Sequence, residues 1–157
     1  MQCFVPSLIA HNIVFLRILF STKTFVLSLS RCRACAINPG EIPTQSCFDA
    51  HPLEYVSDPL HSAPKDVNYP ERAYIPNGST RPWNYQHRYK LPGGLSGDNV
   101  LIQWKYITAN SCNPPGYDNY PFPSGFAPGD IATCGSPSVS SRSRPLADDF
   151  CTSTLRL

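Results

Sequence analysis

Val100-Leu101-Ile102-Gln103-Trp104-Lys105-Tyr106-Ile107-Thr108-Ala109-Asn110-Ser111-Cys112-Asn113-Pro114-Pro115-Gly116-Tyr117 reads as one β-strand running into a rigid turn. Val100, Ile102, Trp104 and Tyr106 fall on one face, and Leu101, Gln103, Lys105 and Ile107 on the other. β-Branched and aromatic residues suit a pleated, half-buried surface. Pro114 and Pro115 cannot continue a ladder, and Gly116 permits a positive φ. Cys112 stands where the strand ends, a natural place for a disulfide to hold the loop.

Composition points the same way. The 157 residues amount to one domain's length with room for a core. Only 15% are charged, against 17 prolines, 7 cysteines and eight tyrosines, which suits a loop-rich extracellular β-protein. No stretch carries sustained helical spacing with caps, so little helix is expected. The net charge of +2 hides an asymmetry: residues 1–36 hold Arg17, Lys23, Arg31 and Arg33 and no acid, leaving 37–157 mildly acidic. Without a basic stripe, nucleic-acid binding is not expected.

Cys47, Cys112, Cys134 and Cys151 are spaced too widely for a zinc knuckle. Cys32-Arg33-Ala34-Cys35 has redox or metal spacing, but no second such pair follows it. Disulfides are the better reading for a chain of this kind. The four cysteines from Cys47 onward allow three pairings, with Cys134 or Cys151 as the expected partner of Cys112. An odd count leaves a thiol over, for which Cys3 is the obvious choice.

Residues 1–36 are apolar and acid-free, and Ala34-Cys35-Ala36 has the small-x-small form of a cleavage site. His11-Asn12, Arg17 and Lys23 interrupt the apolar run, which argues against both a leader and a membrane span. The alternatives are two buried strands, a leader or signal anchor, and a start unrelated to the rest. Strands are expected at 13–20, 24–31, 52–56, 83–90 and 99–108, with a short one at the end. The expected organisation is 1–36 as a segment apart and 37–157 as the domain, folded as an immunoglobulin- or fibronectin-like all-β sandwich, complete or incomplete, with long loops and disulfides.

Gln103-Trp104-Lys105-Tyr106-Ile107-Thr108-Ala109-Asn110-Ser111-Cys112 with Pro115-Gly116-Tyr117 resembles a late strand of the chitin-binding type-4 domain. Members of that family are copper-dependent lytic polysaccharide monooxygenases. Cys47-Phe48-Asp49-Ala50-His51-Pro52-Leu53, Tyr69-Pro70-Glu71-Arg72-Ala73-Tyr74 and Tyr89-Lys90-Leu91-Pro92 extend the resemblance over about residues 40 to 135. It implies an extracellular protein that binds chitin, cellulose or a similar polysaccharide, and a copper cofactor in a histidine brace with an aromatic residue on the axial side.

The sequence departs from the family at that brace. None of His11, His51, His61 or His87 stands in its motif, the amino-terminal half of the family pattern is not found, and no metal ligand is assigned. Asp148-Asp149-Phe150 resembles the entry to the family's final strand, making Phe150 the candidate axial aromatic. After it, Cys151-Thr152-Ser153-Thr154-Leu155 departs from the pattern. The resemblance, with these departures, implies binding without turnover or a fragmentary gene model rather than catalysis, and whether the chain is an enzyme stays open. No Gly-x-Ser-x-Gly elbow or phosphate loop is present.

Sugar surfaces are met by exposed rings flanked by polar side chains. Tyr117, Tyr120 and Phe122, in a Pro/Gly-rich loop with Asp118 and Asn119, are the candidate sugar-binding residues. Trp83, Tyr85, His87 and Tyr89 alternate on one strand face, the pattern by which a sandwich fills its core. Asn77-Gly78-Ser79 is a glycosylation sequon, and 135–145 reads as a flexible Ser/Pro/Arg-rich loop. The competing function is a secreted structural or interaction module with no sugar site.

Overall fold

The computed structural model describes residues 2–4, 13–19, 28–75, 84–97, 99–108, 112–122, 132–135 and 148–155. Two antiparallel sheets emerge among them. The first has the order β1 (Gln2–Phe4), β2 (Ile13–Leu19), β6 (Asn84–Lys90), β4 (Glu54–Ser57). The second has the order β5 (Arg72–Ile75), β3 (Ser28–Ile37), β7 (Asn99–Thr108), β8 (Asp148–Leu155). The fold is an all-β sandwich, as the alternation along Val100–Tyr106 implied.

The expected strands at 13–20, 52–56, 83–90 and 99–108 lie close to β2, β4, β6 and β7. The strand expected at 24–31 begins later and runs further, as β3, pairing with β7 from Ser28↔Thr108 to Ile37↔Asn99. β3 therefore passes through residue 36 without a break, and the basic segment contributes a central strand to the second sheet. β5 and a short helix α1 (Gln45–Ala50) were not anticipated. Six residues are too few to show a helical period, though Thr44 caps α1 by accepting from the Cys47 N–H.

One segment changes sheets. The Ala34 N–H donates to the His51 carbonyl and the Leu53 N–H to the Cys32 carbonyl, so 51–53 runs beside β3. One residue further on, Glu54 and Tyr55 pair instead with Lys90 and Tyr89 of β6. Such a crossing closes a corner of a sandwich and ties the sheets covalently.

The core between the sheets holds Val100, Ile102, Trp104 and Tyr106 from β7, Cys32 and Ala34 from β3, Ala73 from β5, and Tyr55, Tyr85 and Tyr89 from β4 and β6. Tyr85 and Tyr89 thus fill the core as their alternation implied, while Trp83 lies outside the described residues.

The other face of β7 is also covered, at both ends. Leu101 packs with Cys35 and Phe48 beneath α1. Ile107 packs with Leu29 and Tyr74 beneath Tyr117 and Tyr120. Between the two caps, Gln103 exchanges a reciprocal pair of hydrogen bonds with Gln45, at 3.1 and 3.3 Å. An amide in so buried a place keeps both donor and acceptor satisfied this way.

Two disulfides fasten the caps. Cys35–Cys47 joins β3 to α1, and Cys112–Cys134 closes the loop after β7. Cys134 is one of the two partners open to Cys112 on sequence grounds. Cys47 departs from expectation by bonding back across residue 36, because β3 brings Cys35 beneath α1. Cys32, the other half of the Cys-x-x-Cys, is a buried thiol in neither disulfide: on a strand, residues 32 and 35 point to opposite faces. The side chains of Cys3 and Cys151 lie outside what the structure describes.

Candidate functional site

The loop after β7 was expected to present rings to sugar, and its geometry corrects that expectation for two of them. Gly116 (φ 84°) turns the chain, and a 3-10 turn follows at Tyr117–Asn119. The Asn113 N–H donates to the Ala132 carbonyl and the Cys134 N–H to the Asn113 carbonyl, which pins the base of the loop. Tyr117 and Tyr120 are consequently folded inward, with 0% and 5% exposure. Tyr120 stacks on Tyr74 and donates its hydroxyl to the Pro64 carbonyl. The physical reason is that Leu29, Tyr74 and Ile107 leave an apolar surface on the sheet's outer face, which the loop covers.

Phe122 differs. It is partly exposed, and its ring stands edge-on against Tyr120, Tyr117 and Tyr74 at 4.6, 5.1 and 5.3 Å. Such T-shaped contacts fix a ring in place while leaving part of it to solvent. Asp118 and Asn119 are exposed nearby in sequence, and Asp118 accepts a hydrogen bond from Thr133. This loop therefore combines one anchored, partly exposed ring with polar groups on a rigid support.

Arg72 and Tyr69 hold the loop's turn from below. The Arg72 guanidinium lies 3.5 Å from the Tyr69 ring centroid and donates to the Pro115 carbonyl at 2.6 Å. Asp66 organises the next layer, accepting from the Asn68 and Tyr69 N–H groups and from the Tyr74 hydroxyl at 2.7 Å. Burial, then the Asp66 hydrogen bond, raises the Tyr74 pKa, so its hydroxyl stays a donor. Sequence reading passed over Asp66, although Asp66-Val67-Asn68 is a turn signal.

A Ser–His–Asp alignment lies deep between the sheets. Ser30 Oγ is 3.2 Å from His87 Nδ1, and His87 Nε2 faces Asp58 Oδ2 at 3.5 Å. All three residues are buried, and Ser30 Oγ also meets the Tyr89 hydroxyl at 3.2 Å. A nucleophile needs a path for substrate and donors for the oxyanion. Buried as it is, this alignment serves as a polar staple. Ser30 and Asp58 were not singled out from sequence; only Asp58-Pro59 carries a local signal, that of a turn.

The other histidines are similarly engaged. His51 Nδ1 lies 3.0 Å from the Cys47 carbonyl at the end of α1. His61 Nδ1 lies 3.1 Å from Asp58 Oδ2. His11 lies outside the described residues. Among the described residues no group of three or more His, Cys, Asp or Glu side chains could hold a metal ion. No copper ligand is assigned among them. Phe150, the candidate axial residue, lies on β8 in register with Lys105, and its side chain lies outside what the structure describes. Among the described residues no helix is long and apolar enough to cross a membrane.

No family model and no curated protein matches the sequence. Among solved structures, the chain is similar to the lytic polysaccharide monooxygenase AA15 from Thermobia domestica in the Cu(I) state. The TM-score is 0.58 at 17% identity, with 92% of this chain and 57% of that chain covered. The chain thus spans little more than half the length of the protein it resembles, and at this identity the likeness is one of fold: this is an all-β sandwich of the kind seen in that monooxygenase.

Proposed function

We propose that the chain is an extracellular polysaccharide-binding protein on a monooxygenase-like sandwich, taking chitin or a cellulose-like polymer. The observation that carries this reading is Phe122, a partly exposed ring anchored by three buried tyrosines on a disulfide-closed loop. In this reading Phe122 stacks on the sugar, and Tyr117 and Tyr120 hold it from behind. Two disulfides support residence in an oxidising compartment. No catalytic step is assigned in this reading.

Sedimentation with insoluble chitin and cellulose tests the reading. The parent protein is expected in the pellet, and Phe122→Ala is expected to weaken retention roughly tenfold, the equivalent of about 1.4 kcal/mol. Near-ultraviolet circular dichroism should be unchanged in that variant. A parent that stays in the supernatant with both polymers sinks the proposal. The burial of Tyr117 and Tyr120 favours a second reading, a structural module of the secreted matrix with no sugar site. That outcome would leave the parent unretained by either polymer but fully folded.

A further inference from the structure

His87 occupies an unusual position for an ionisable group. It is completely buried, on β6 of one sheet, and reaches Ser30 on β3 of the other. Tyr55, Tyr85 and Tyr89 surround the ring, with centroids at 5.8, 6.1 and 6.1 Å. Its Nδ1 meets Ser30 Oγ, whereas its Nε2 has no hydrogen-bond partner among the described residues, Asp58 Oδ2 standing 3.5 Å away.

Asp58 is already committed. Its Oδ1 accepts from the Leu60 and His61 N–H groups at 2.8 and 3.2 Å, shaping the turn after β4. Its Oδ2 lies 3.1 Å from Nδ1 of half-buried His61, whose ring packs on Tyr85 at 4.4 Å. The cluster therefore runs from the partly exposed His61, through a buried carboxylate, to a buried imidazole that joins the two sheets.

We propose that Ser30, His87 and Asp58 form an acid-operated latch, closed while His87 is neutral and released when it takes up a proton. A neutral imidazole supplies one donor and one acceptor, and a serine hydroxyl can match either at Nδ1. An imidazolium has two donors and a charge. Nε2 could then reach Asp58 only if the carboxylate moved, and that movement would strain the Leu60 and His61 amides it holds. If the carboxylate stayed, the charged ring would keep only its Nδ1 bond to Ser30 and bury an Nε2 N–H without one, which is costly. Either course loosens the contact between the sheets.

The neighbouring groups set the pH range. Burial pushes the His87 pKa down from 6.5 to about 4; Asp58 pulls it up and His61 pushes it down. Tyr55, Tyr85 and Tyr89 are raised by burial and stay neutral throughout, and the Cys32 thiol acts on Tyr89. Since the folded pKa lies below the unfolded one, the latch's stability is complete above about pH 6.5. It is lost as pH falls toward 4.

Denaturant unfolding between pH 7.5 and 4.5 tests this on the parent, His87→Gln and His61→Gln. The unfolding equilibrium of the parent is expected to shift about tenfold per pH unit below 6.5, relative to His87→Gln. His61→Gln is expected to keep that dependence. Parallel curves for the parent and His87→Gln overturn the proposal, as does a dependence lost in His61→Gln. Should His87→Gln fail to fold, imidazole resonances of the parent decide: a His87 ring neutral down to near pH 4.5 supports the latch, and one titrating near 6.5 in the folded protein overturns it.

Discussion

A Cβ placed on Gly116 would stand 2.3 Å from Cε2 of Tyr69, so the aromatic ring occupies the space that any other residue would need. Gly116 also has φ 84°, which L-residues adopt at a cost of about 1–2 kcal/mol. Gly94 has nearly the same φ, 80°, with nothing close to its missing Cβ. The pair separates backbone strain from the clash. Gly94→Ala is expected to cost about 1 kcal/mol and Gly116→Ala at least about 2 kcal/mol more. Urea denaturation of the two variants checks this; equal losses would mean that Tyr69 moves aside freely.

Asp66 and Tyr74 provide the second prediction. The carboxylate caps the Asn68 and Tyr69 N–H groups with one oxygen and takes the Tyr74 hydroxyl with the other. Asp66→Ala should cost about 2–4 kcal/mol by orphaning three donors. Tyr74→Phe should cost about 1–2 kcal/mol, since the stacked ring remains. The double variant should show a coupling of about 1–2 kcal/mol. A coupling near zero would reduce Asp66 to a turn former with no link to the aromatic cap.

Tyr120 offers a test of its supporting role. Its hydroxyl donates to the Pro64 carbonyl while its ring stacks on Tyr74. Tyr120→Phe should cost about 1 kcal/mol and Tyr120→Ala about 3–5 kcal/mol. If the ring only holds Phe122 in place, Tyr120→Phe keeps full retention on polysaccharide. A loss of retention with the fold intact would assign the Tyr120 hydroxyl a direct contact with sugar.

These particular residues show where sequence could and could not be read. The inward face of β7 was legible because Val100, Ile102, Trp104 and Tyr106 alternate without a break. Tyr85 and Tyr89 were legible for the same reason. The outer face was not, since Gln103 and Lys105 between Leu101 and Ile107 resemble a solvated surface. Its covers, α1 and the 117–122 loop, come from segments with no period of their own. Tyr117 and Tyr120 look exposed in a proline-rich loop until Leu29 and Tyr74 are placed beneath them. Ser30, Asp58 and His87 come from three separate segments, and nothing local pairs them.

α1 is held to β3 by two bonds of different kinds, whose contributions should separate cleanly. Cys35–Cys47 closes a span of 12 residues, for which loop entropy alone gives about 3 kcal/mol. Arg33 pairs with Asp49 on the surface, the two side chains being 24% and 51% exposed, and such a pair contributes less than about 1 kcal/mol. Arg33→Ala should therefore lower stability slightly, by an amount that shrinks further in 1 M salt. The paired change Cys35→Ala/Cys47→Ala should lower it by about 3 kcal/mol whatever the salt. It should also unseat Phe48 from Leu101, seen as faster amide exchange across α1. If Arg33→Ala matched the disulfide change, the ion pair would be the true fastening of the helix, and the covalent bond redundant.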